Sequence, residues 1–210
     1  MTKQAAIQRV RELYEQARVR PVPTPSEVAN VIRTLTNAEN PALTDYMLRK
    51  AWIESRFNPL AVNKASGAAG LYQIMWFNLV KEWEDNDDFN PFHAEDNTAW
   101  TLEFTAGNAA SLKRAGFAVT MGRLYLAHQQ GAGGASVILR GTKSGLTIEQ
   151  LPNDIERNVR ANIPSGVDIS TCAEFERLWE RRMAAAQIPD SNRLAALDNE
   201  NDDEDDTNMA

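Results

Sequence analysis

The sequence predicts an all-α protein, and two observations carry this prediction. Apolar residues recur at intervals of three and four in most segments, which is the spacing of one buried helical face. Short breaks containing Gly or Pro separate these segments, and no alternating β pattern is longer than a few residues. The 210 residues suffice for one sizeable core with extensions, so we expect helices packed on a single core.

Two helices are predicted before residue 40. Residues 4 to 18 carry apolar side chains on one face, and the prolines between residues 21 and 25 force an extended connector. Thr24 or Ser26 can cap a second helix that extends to Leu35. We expect these helices to cover the core; docking onto a partner is the less favoured alternative.

A third helix leads to the best candidate for chemistry, Glu54. Leu43, Met47 and Ala51 recur at four-residue spacing and mark the buried face of this helix. Pro59 is expected to end it, because a proline disfavours the α conformation at the preceding residue and cannot donate the next helical hydrogen bond. Glu54 is therefore predicted near a helix C-terminus.

That position is expected to keep the Glu54 carboxyl group protonated. The C-terminal end of the helix dipole is negative, and Trp52, Ile53 and Phe57 can exclude water from the group, so both effects raise its pKa. A carboxylic acid protonated near neutral pH is what general acid catalysis at a glycosidic oxygen requires. Most single glutamates on helices are solvated instead. Only the residues around Glu54 favour the catalytic interpretation.

The residues after Glu54 form an ordered motif. Following E-S-R-F-N-P-L-A and a polar linker, Gly67 and Gly70 allow the backbone to pass close to a helix or a ligand. The apolar residues between positions 71 and 75 predict a new helix, with Gln73 near its start and beside the proposed cleft.

The segment from Glu54 to Met75 resembles the catalytic signature of the soluble lytic transglycosylase family: E-S-x-F-N-P-x-A, a short linker, then G-A-x-G-L-x-Q-I-M. Goose-type lysozymes share the fold of this family. The resemblance therefore implies a lysozyme-like helical domain, here with extra N- and C-terminal helices. The linker N-K-A-S-G is one residue longer than the usual pattern, and Ser66 is the candidate for the serine that the family places near the catalytic acid.

A second motif lies between Leu124 and Leu139, LYLAHQQGAGGASVIL. It resembles the second motif of the same family, commonly Ala-Tyr-Asn-Ala-Gly. Alignment on Ala127 and Gly131 places His128 at the usual tyrosine and Gln129 at the asparagine.

This second motif is also similar to phage and prophage members of the family, which read Tyr-Leu-Ala-His before a glycine-rich turn. Tyr125 lies three residues before His128, on an adjoining helical face. Gly131, Gly133 and Gly134 predict a tight turn between helices. They do not form a phosphate loop, because no strand precedes them.

The resemblance implies that the substrate is the glycan of peptidoglycan, cleaved at the β-1,4 bond between N-acetylmuramic acid and N-acetylglucosamine. It implies that Glu54 protonates the leaving oxygen, assisted by the N-acetyl group of the substrate, and then acts as base on the muramyl 6-hydroxyl to give a 1,6-anhydro product. The substrate-binding residues that it implies are Ser66, Gln73, Tyr125, His128 and Gln129.

Two other functions stay open. A lysozyme of the same fold would hydrolyse the same bond and would need a second carboxylate to activate water, for which Asp88, Asp96 and Glu103 are candidates. A virion structural protein with an inactive lysozyme-like fold is the alternative from another class. The intact motif around Glu54 favours the transglycosylase.

Composition limits the cofactors and the compartment. No stretch approaches eighteen apolar residues, so we expect no membrane span, and the N-terminus lacks the apolar core of a secretory signal. Cys172 is the single cysteine, and the two histidines His93 and His128 are far apart in sequence. We therefore predict no intramolecular disulfide, no metal and no other cofactor.

The net charge of −7 comes from the C-terminal tail. From Asp190 onward there are eight acids and one base, and the rest of the chain has equal numbers of acids and bases. Such a tail is expected to be disordered. The chain has neither a basic surplus nor interleaved aromatic residues, which argues against a nucleic-acid partner.

These patterns divide the chain into a helical extension at 1–40, a lysozyme-like transglycosylase domain at 41–165, a helix packed on the core at 166–189 and the acidic tail at 190–210. The missing signal, the histidine in the second motif and the small size together predict a phage protein. It is expected in the virion or in the infected host cell, acting in the periplasm or cell wall. Other virion proteins are expected partners, through the N-terminal helices or the tail.

Overall fold

Helices form most of the described structure, which confirms the predicted all-α class. The computed structural model describes residues 1–37, 40–190, 193–194 and 196–198. Its helices are α1 (Lys3–Ala17), α2 (Pro25–Thr36), α3 (Pro41–Ser55), α4 (Trp76–Asp85), α5 (Ala94–Arg114), α6 (Met121–Ser144), α7 (Asn153–Ala161) and α8 (Cys172–Ala185). The strands β1 (Val62–Asn63) and β2 (Ala68–Ala69) pair antiparallel between α3 and α4, and a 3₁₀ helix covers Ile148–Gln150.

The described chain forms two compact units that divide within α5. The first comprises Met1–Leu102 and Ile188–Ala210, as far as these residues are described, and the second comprises Glu103–Gln187. The predicted boundaries at residues 40, 165 and 189 follow sequence motifs and stay predictions.

The N-terminal helices begin at strong caps. The Thr24 hydroxyl accepts a hydrogen bond from the Glu27 backbone N–H, and the Glu27 carboxylate accepts one from the Thr24 N–H, which completes a capping box for α2. Thr24 is therefore the cap, and Ser26 lies inside the helix. Thr2 caps α1 in a similar way, through the N–H of Ala5.

The helix α1 contributes to the core of the first unit, as expected for a covering helix. It packs along α4, and Val10 is only 2% exposed; full burial of such a side chain contributes about 1.5–3 kcal/mol. Arg9 adds a polar link, because its guanidinium lies 4.6 Å from the ring centroid of Trp83 and 2.7 Å from the carboxylate of Asp87. The buried members of this core are Ala6, Val10, Ala17, Ala69, Ile74, Leu79, Trp83, Phe89 and Phe92.

The second unit is built on the long contact between α6 and α8. Trp179 of α8 is 1% exposed, and its ring lies 5.2 Å from Tyr125 and 5.8 Å from Phe175, measured between centroids. Cys172 at the start of α8 is buried, and this burial raises the pKa of its thiol.

The glycines after Gln130 mark a break between two helical stretches, as the sequence predicts. The range of α6, Met121–Ser144, contains both stretches, and they join at Gly131, whose φ of 68° and ψ of 158° are not helical. Glycine adopts such a φ without steric cost, so this one residue makes the kink between them. Gly134 remains helical and lies close to Ile155 of α7. Packing against α7 and α8 therefore outweighs the low helix propensity of the glycines.

The predicted acidic tail, 190–210, lies mostly outside the described residues. Within its described part, Leu194 is 2% exposed, and the carboxylate of Asp198 accepts a hydrogen bond of 3.1 Å from the backbone N–H of Ser26. The described helices contain no segment with the length and apolar character needed to cross a bilayer.

A pH-dependent contribution to stability is expected at the start of α8. The Glu174 carboxylate accepts hydrogen bonds from the backbone N–H groups of Ser170 and Thr171 and from the hydroxyls of both residues. These bonds lower the pKa of Glu174 from 4.5 to about 2, the backbone N–H of Ser170 having the largest effect. Because the folded state lowers this pKa, the stabilisation is complete above pH 4.5 and is lost as the pH falls towards 2.

We therefore expect Glu174→Gln to lower the melting temperature at pH 7 and to differ progressively less from the wild type as the pH falls below 4.5. Differential scanning calorimetry between pH 7 and pH 3 measures this. The matched control is Glu103→Gln, which changes an exposed glutamate of the same unit. A constant difference between Glu174→Gln and the wild type at all pH values would contradict the prediction.

Candidate active site

The end of α3 is set by two residues in the left-handed conformation. Arg56 has φ 57° and Phe57 has φ 64°, so the helix ends at Ser55 rather than at Pro59, where the sequence predicted its end. For residues other than glycine, this conformation costs about 1–2 kcal/mol each. Burial of the Phe57 ring and the position of the Arg56 guanidinium, 4.4 Å from the Trp52 ring centroid, offset that cost.

The polar residues of the first motif secure this exit from the helix. The hydroxyl of Ser55 donates a hydrogen bond to the backbone oxygen of Ala51, and the side chain of Asn58 accepts one from the N–H of Leu60 at 2.8 Å. The backbone N–H of Asn58 donates to the carbonyl of Ser55. The serine and asparagine of the motif therefore shape the turn around Glu54.

Glu54 is the penultimate residue of α3, as the sequence predicts, and its side chain is half-buried. This places the carboxyl group in the last helical turn, at the negative end of the helix dipole. Partial exposure leaves the group within reach of a ligand. A half-buried acid at a helix C-terminus is suited to donating a proton and recovering it.

A buried lysine precedes Glu54 by one helical turn. The side chain of Lys50 is 0% exposed, and its Nζ has no hydrogen-bond partner among the described residues. The Nζ atom lies 5.3 Å from the ring centroid of Tyr72 and 5.9 Å from that of Tyr46. Burial lowers the pKa of Lys50 to about 7, and the negative charge of Glu54 opposes this decrease.

Sequence reasoning did not assign Lys50 a role, although a signal was present. Lys50 lies seven residues after Leu43 and three after Met47, so helical spacing places it on the buried face of α3. A lysine at such a position is normally solvated at a helix edge, and only the packing around α3 shows that this one is enclosed.

The turn between β1 and β2 holds Ser66. Its backbone N–H donates a hydrogen bond to the Asn63 side chain, and its hydroxyl accepts one from the N–H of Ala68 at 3.3 Å. Ser66 is half-buried, and its substrate contact stays a prediction. These bonds fix the added residue of the linker inside an ordered turn.

Gln73 lies in the turn before α4, whereas the sequence predicted it inside the start of a helix. Its φ is +50°, and its amide Nε2 donates to the backbone oxygens of Ala61 and Gly70 at 3.1 and 3.0 Å. Ile74 pairs with Ala69 as an antiparallel bridge, so α4 begins only at Trp76. Gln73 therefore closes the loop after α3, and a role in sugar binding stays a prediction.

Asn97 of α5 anchors this loop and was missed by sequence reasoning. Its side chain is 0% exposed, accepts a hydrogen bond from the Tyr72 N–H at 3.0 Å and donates to the Pro91 oxygen at 2.7 Å. Gly70, with φ +77°, sits directly against these groups. An asparagine within a helix gives no local signal of such a contact, because its partners are distant in sequence.

The residues of the second motif lie on α6 in the second unit. Tyr125 is 2% exposed, and its ring centroid lies 6.0 Å from that of His128. His128 is half-buried and meets the Phe104 ring edge-on at 6.1 Å. Gln129 is also half-buried, and its Oε1 lacks a hydrogen-bond partner among the described residues. The three predicted residues thus share one helical segment.

The candidate second carboxylates differ in their surroundings. Asp88 and Glu103 are exposed, on the loop after α4 and on α5. Asp96 is half-buried and pairs with His93, at 3.3 Å between oxygen and ring nitrogen. Among the described residues there is no group of three His, Cys, Asp or Glu side chains able to hold a metal ion.

The fold and this site define a lysozyme-like helical domain that carries its candidate acid at the end of a helix. Residues 39–119 match the family model described as the transglycosylase SLT domain. The matched residues 39–119 therefore form a domain of the soluble lytic transglycosylase family. The general activity of this domain family is that of a peptidoglycan lytic transglycosylase, with peptidoglycan as substrate. No curated protein matches the chain.

The match includes the first motif with Glu54, Ser66 and Gln73. It ends before α6, so Tyr125, His128 and Gln129 lie outside it. The family assignment therefore rests on the first motif and its flanking helices.

Proposed function

We propose that the protein cleaves the β-1,4 bond between N-acetylmuramic acid and N-acetylglucosamine with Glu54 as its single acid and base. The observation that carries this proposal is the half-buried carboxyl group of Glu54 at the left-handed exit of α3, inside the family match. Glu54 gives its proton to the glycosidic oxygen as the bond to C1 breaks, and the substrate's own N-acetyl group stabilises the positive charge at C1. The carboxylate then takes the proton of the muramyl 6-hydroxyl, whose oxygen attacks C1.

This cycle restores the acid and consumes no water, so it ends in a 1,6-anhydro sugar. Ser66, Gln73, Tyr125, His128 and Gln129 are the proposed sugar-binding residues. The proposal needs no metal and no cofactor.

Mass spectrometry of soluble muropeptides released from purified peptidoglycan tests the reaction. We expect products lighter than the hydrolytic ones by one water, about 18 Da, because the 6-hydroxyl of the sugar replaces water as nucleophile. A muramidase that is known to hydrolyse the same bond supplies the reference masses. Products with reducing ends would instead identify a lysozyme, and Asp96, half-buried and paired with His93, would become the first candidate for its base.

We further propose that the protein acts in phage infection, either from the virion or as a lysis enzyme in the host, and reaches the periplasm or cell wall in that way. The form of the second motif, Tyr-Leu-Ala-His before a glycine-rich segment, supports this proposal. Other virion proteins are proposed partners through the N-terminal helices or the acidic tail. Immunoblotting of purified virions and of infected-cell lysates distinguishes the two roles, and absence from both would contradict them.

A further inference from the structure

The face of α3 that carries Glu54 also carries a buried cation. Lys50 and Glu54 are four residues apart, the spacing at which helical side chains meet, and Lys50 is completely enclosed while Glu54 is half-buried. The Lys50 ammonium has the two tyrosine rings at 5.3 and 5.9 Å and no hydrogen-bond acceptor among the described residues. The negative charge of the Glu54 carboxylate acts on this ammonium and opposes the decrease in its pKa.

We infer that Lys50 is a positioning residue for the acid: its buried ammonium stabilises the carboxylate that Glu54 becomes after giving up its proton. The inference rests on the proposed function of Glu54. An enclosed ammonium is little screened by water, so its effect on a carboxylate one turn away is larger than that of a surface lysine. The negative charge that remains on Glu54 after proton donation therefore already has a counter-ion, the Lys50 ammonium.

The groups that face Lys50 within the first unit leave Glu54 as its main electrostatic partner. Tyr46 on α3 and Tyr72 from the loop before α4 present their aromatic rings, and burial raises the pKa of Tyr72, so its hydroxyl stays neutral. The helix α2 also packs on α3, but its charged residues Glu27 and Arg33 are exposed.

The sign of the effect follows from this arrangement. A neighbouring cation favours the carboxylate, so Lys50 acts against the helix dipole and makes Glu54 a stronger acid. Replacing Lys50 with methionine keeps an unbranched apolar side chain and removes the charge. In Lys50→Met we therefore expect Glu54 to titrate about one pH unit higher than in the wild type.

Carbon-13 NMR of the Glu54 side-chain carboxyl in the full-length chain measures this midpoint directly, without any turnover. Lys50→Met is expected to fold and to melt at the same or a higher temperature, because it removes a buried ammonium that lacks a hydrogen-bond partner among the described residues. The control is Lys81→Met, which removes an exposed lysine of the same unit and should leave the midpoint of Glu54 unchanged.

A reciprocal measurement uses Glu54→Gln. The negative charge of Glu54 raises the pKa of Lys50, so its removal should move the titration of the Lys50 ammonium below its wild-type midpoint of about 7. Nitrogen-15 NMR of the lysine ammonium groups follows this change. A higher midpoint of Glu54 in Lys50→Met together with a lower midpoint of Lys50 in Glu54→Gln would support the coupling. Unchanged midpoints in both variants would overturn it.

The pH dependence of muropeptide release in the wild type and in Lys50→Met distinguishes a failure of this inference from a failure of the proposed function. The pH above which muropeptide release declines should rise by about one unit in Lys50→Met, since release requires protonated Glu54. If the wild type is active, and its Glu54 midpoint and pH profile are the same as those of Lys50→Met, the inference about Lys50 is overturned and the proposed function stands. If the wild type releases nothing while the two midpoints still differ, the proposed function fails and the Lys50–Glu54 coupling stands.

Discussion

Replacing Glu54 with glutamine is expected to reduce the initial rate of muropeptide release by about 10²- to 10⁴-fold, the usual contribution of a general acid. Glutamine has nearly the same size and can fill the same half-buried position at the end of α3. Its amide neither donates a proton to the glycosidic oxygen nor accepts one from the 6-hydroxyl. Both halves of the proposed reaction are therefore lost with one substitution.

The measurement is the initial rate of soluble muropeptide release from purified peptidoglycan, with thermal melting of each variant as a check on folding. The matched control is Glu84→Gln, which makes the same chemical change at an exposed position of α4. Wild-type rates from Glu84→Gln and nearly none from Glu54→Gln would support the single acid. Equal rates from Glu54→Gln and the wild type would rule it out.

Replacing Gly70 with alanine is expected to destabilise the protein by about 3 kcal/mol or more. A Cβ atom at this position would lie 1.9 Å from the Pro91 oxygen and 2.2 Å from the Asn97 amide nitrogen. Overpacking of this kind typically costs about 1–3 kcal/mol, and the φ of +77° adds about 1–2 kcal/mol for a residue other than glycine. Relief of the clash would break the bonds of Asn97 that hold the loop before α4.

Urea unfolding followed by circular dichroism measures this loss, and Gly107→Ala is its control. Gly107 is an exposed residue within α5 with a helical φ, and a methyl group added there would meet no atom within 4 Å. Alanine at this position should therefore stabilise the helix by about 0.5–1 kcal/mol. The two substitutions should have opposite signs. A Gly70→Ala protein as stable as the wild type would mean that the loop can move away from α5 without cost.

The sequence predicted the helices well where local chemistry decides them. Thr24 accepts a hydrogen bond from the first turn of α2, and apolar spacing located Met47 and Ala51 on the buried face of α3. Prediction was less accurate where the backbone departs from regular angles. Neither the left-handed pair at the end of α3 nor the left-handed Gln73 follows from propensity, because packing holds them in place. The Phe57 ring is fully buried, and the Gln73 amide donates a hydrogen bond to the carbonyl of Ala61, twelve residues earlier.

The candidate site likewise has features that the local sequence predicts and features that only the tertiary structure shows. The sequence by itself determined the helical class, the motif around Glu54 and the place of that acid near a helix C-terminus, because these depend on spacing and on the order of neighbouring residues. Only the tertiary structure decided that Lys50 is enclosed beside the acid and that Asn97 anchors the loop. Both depend on burial and on partners distant in sequence. A charged or amide side chain has the same local pattern whether water or protein surrounds it.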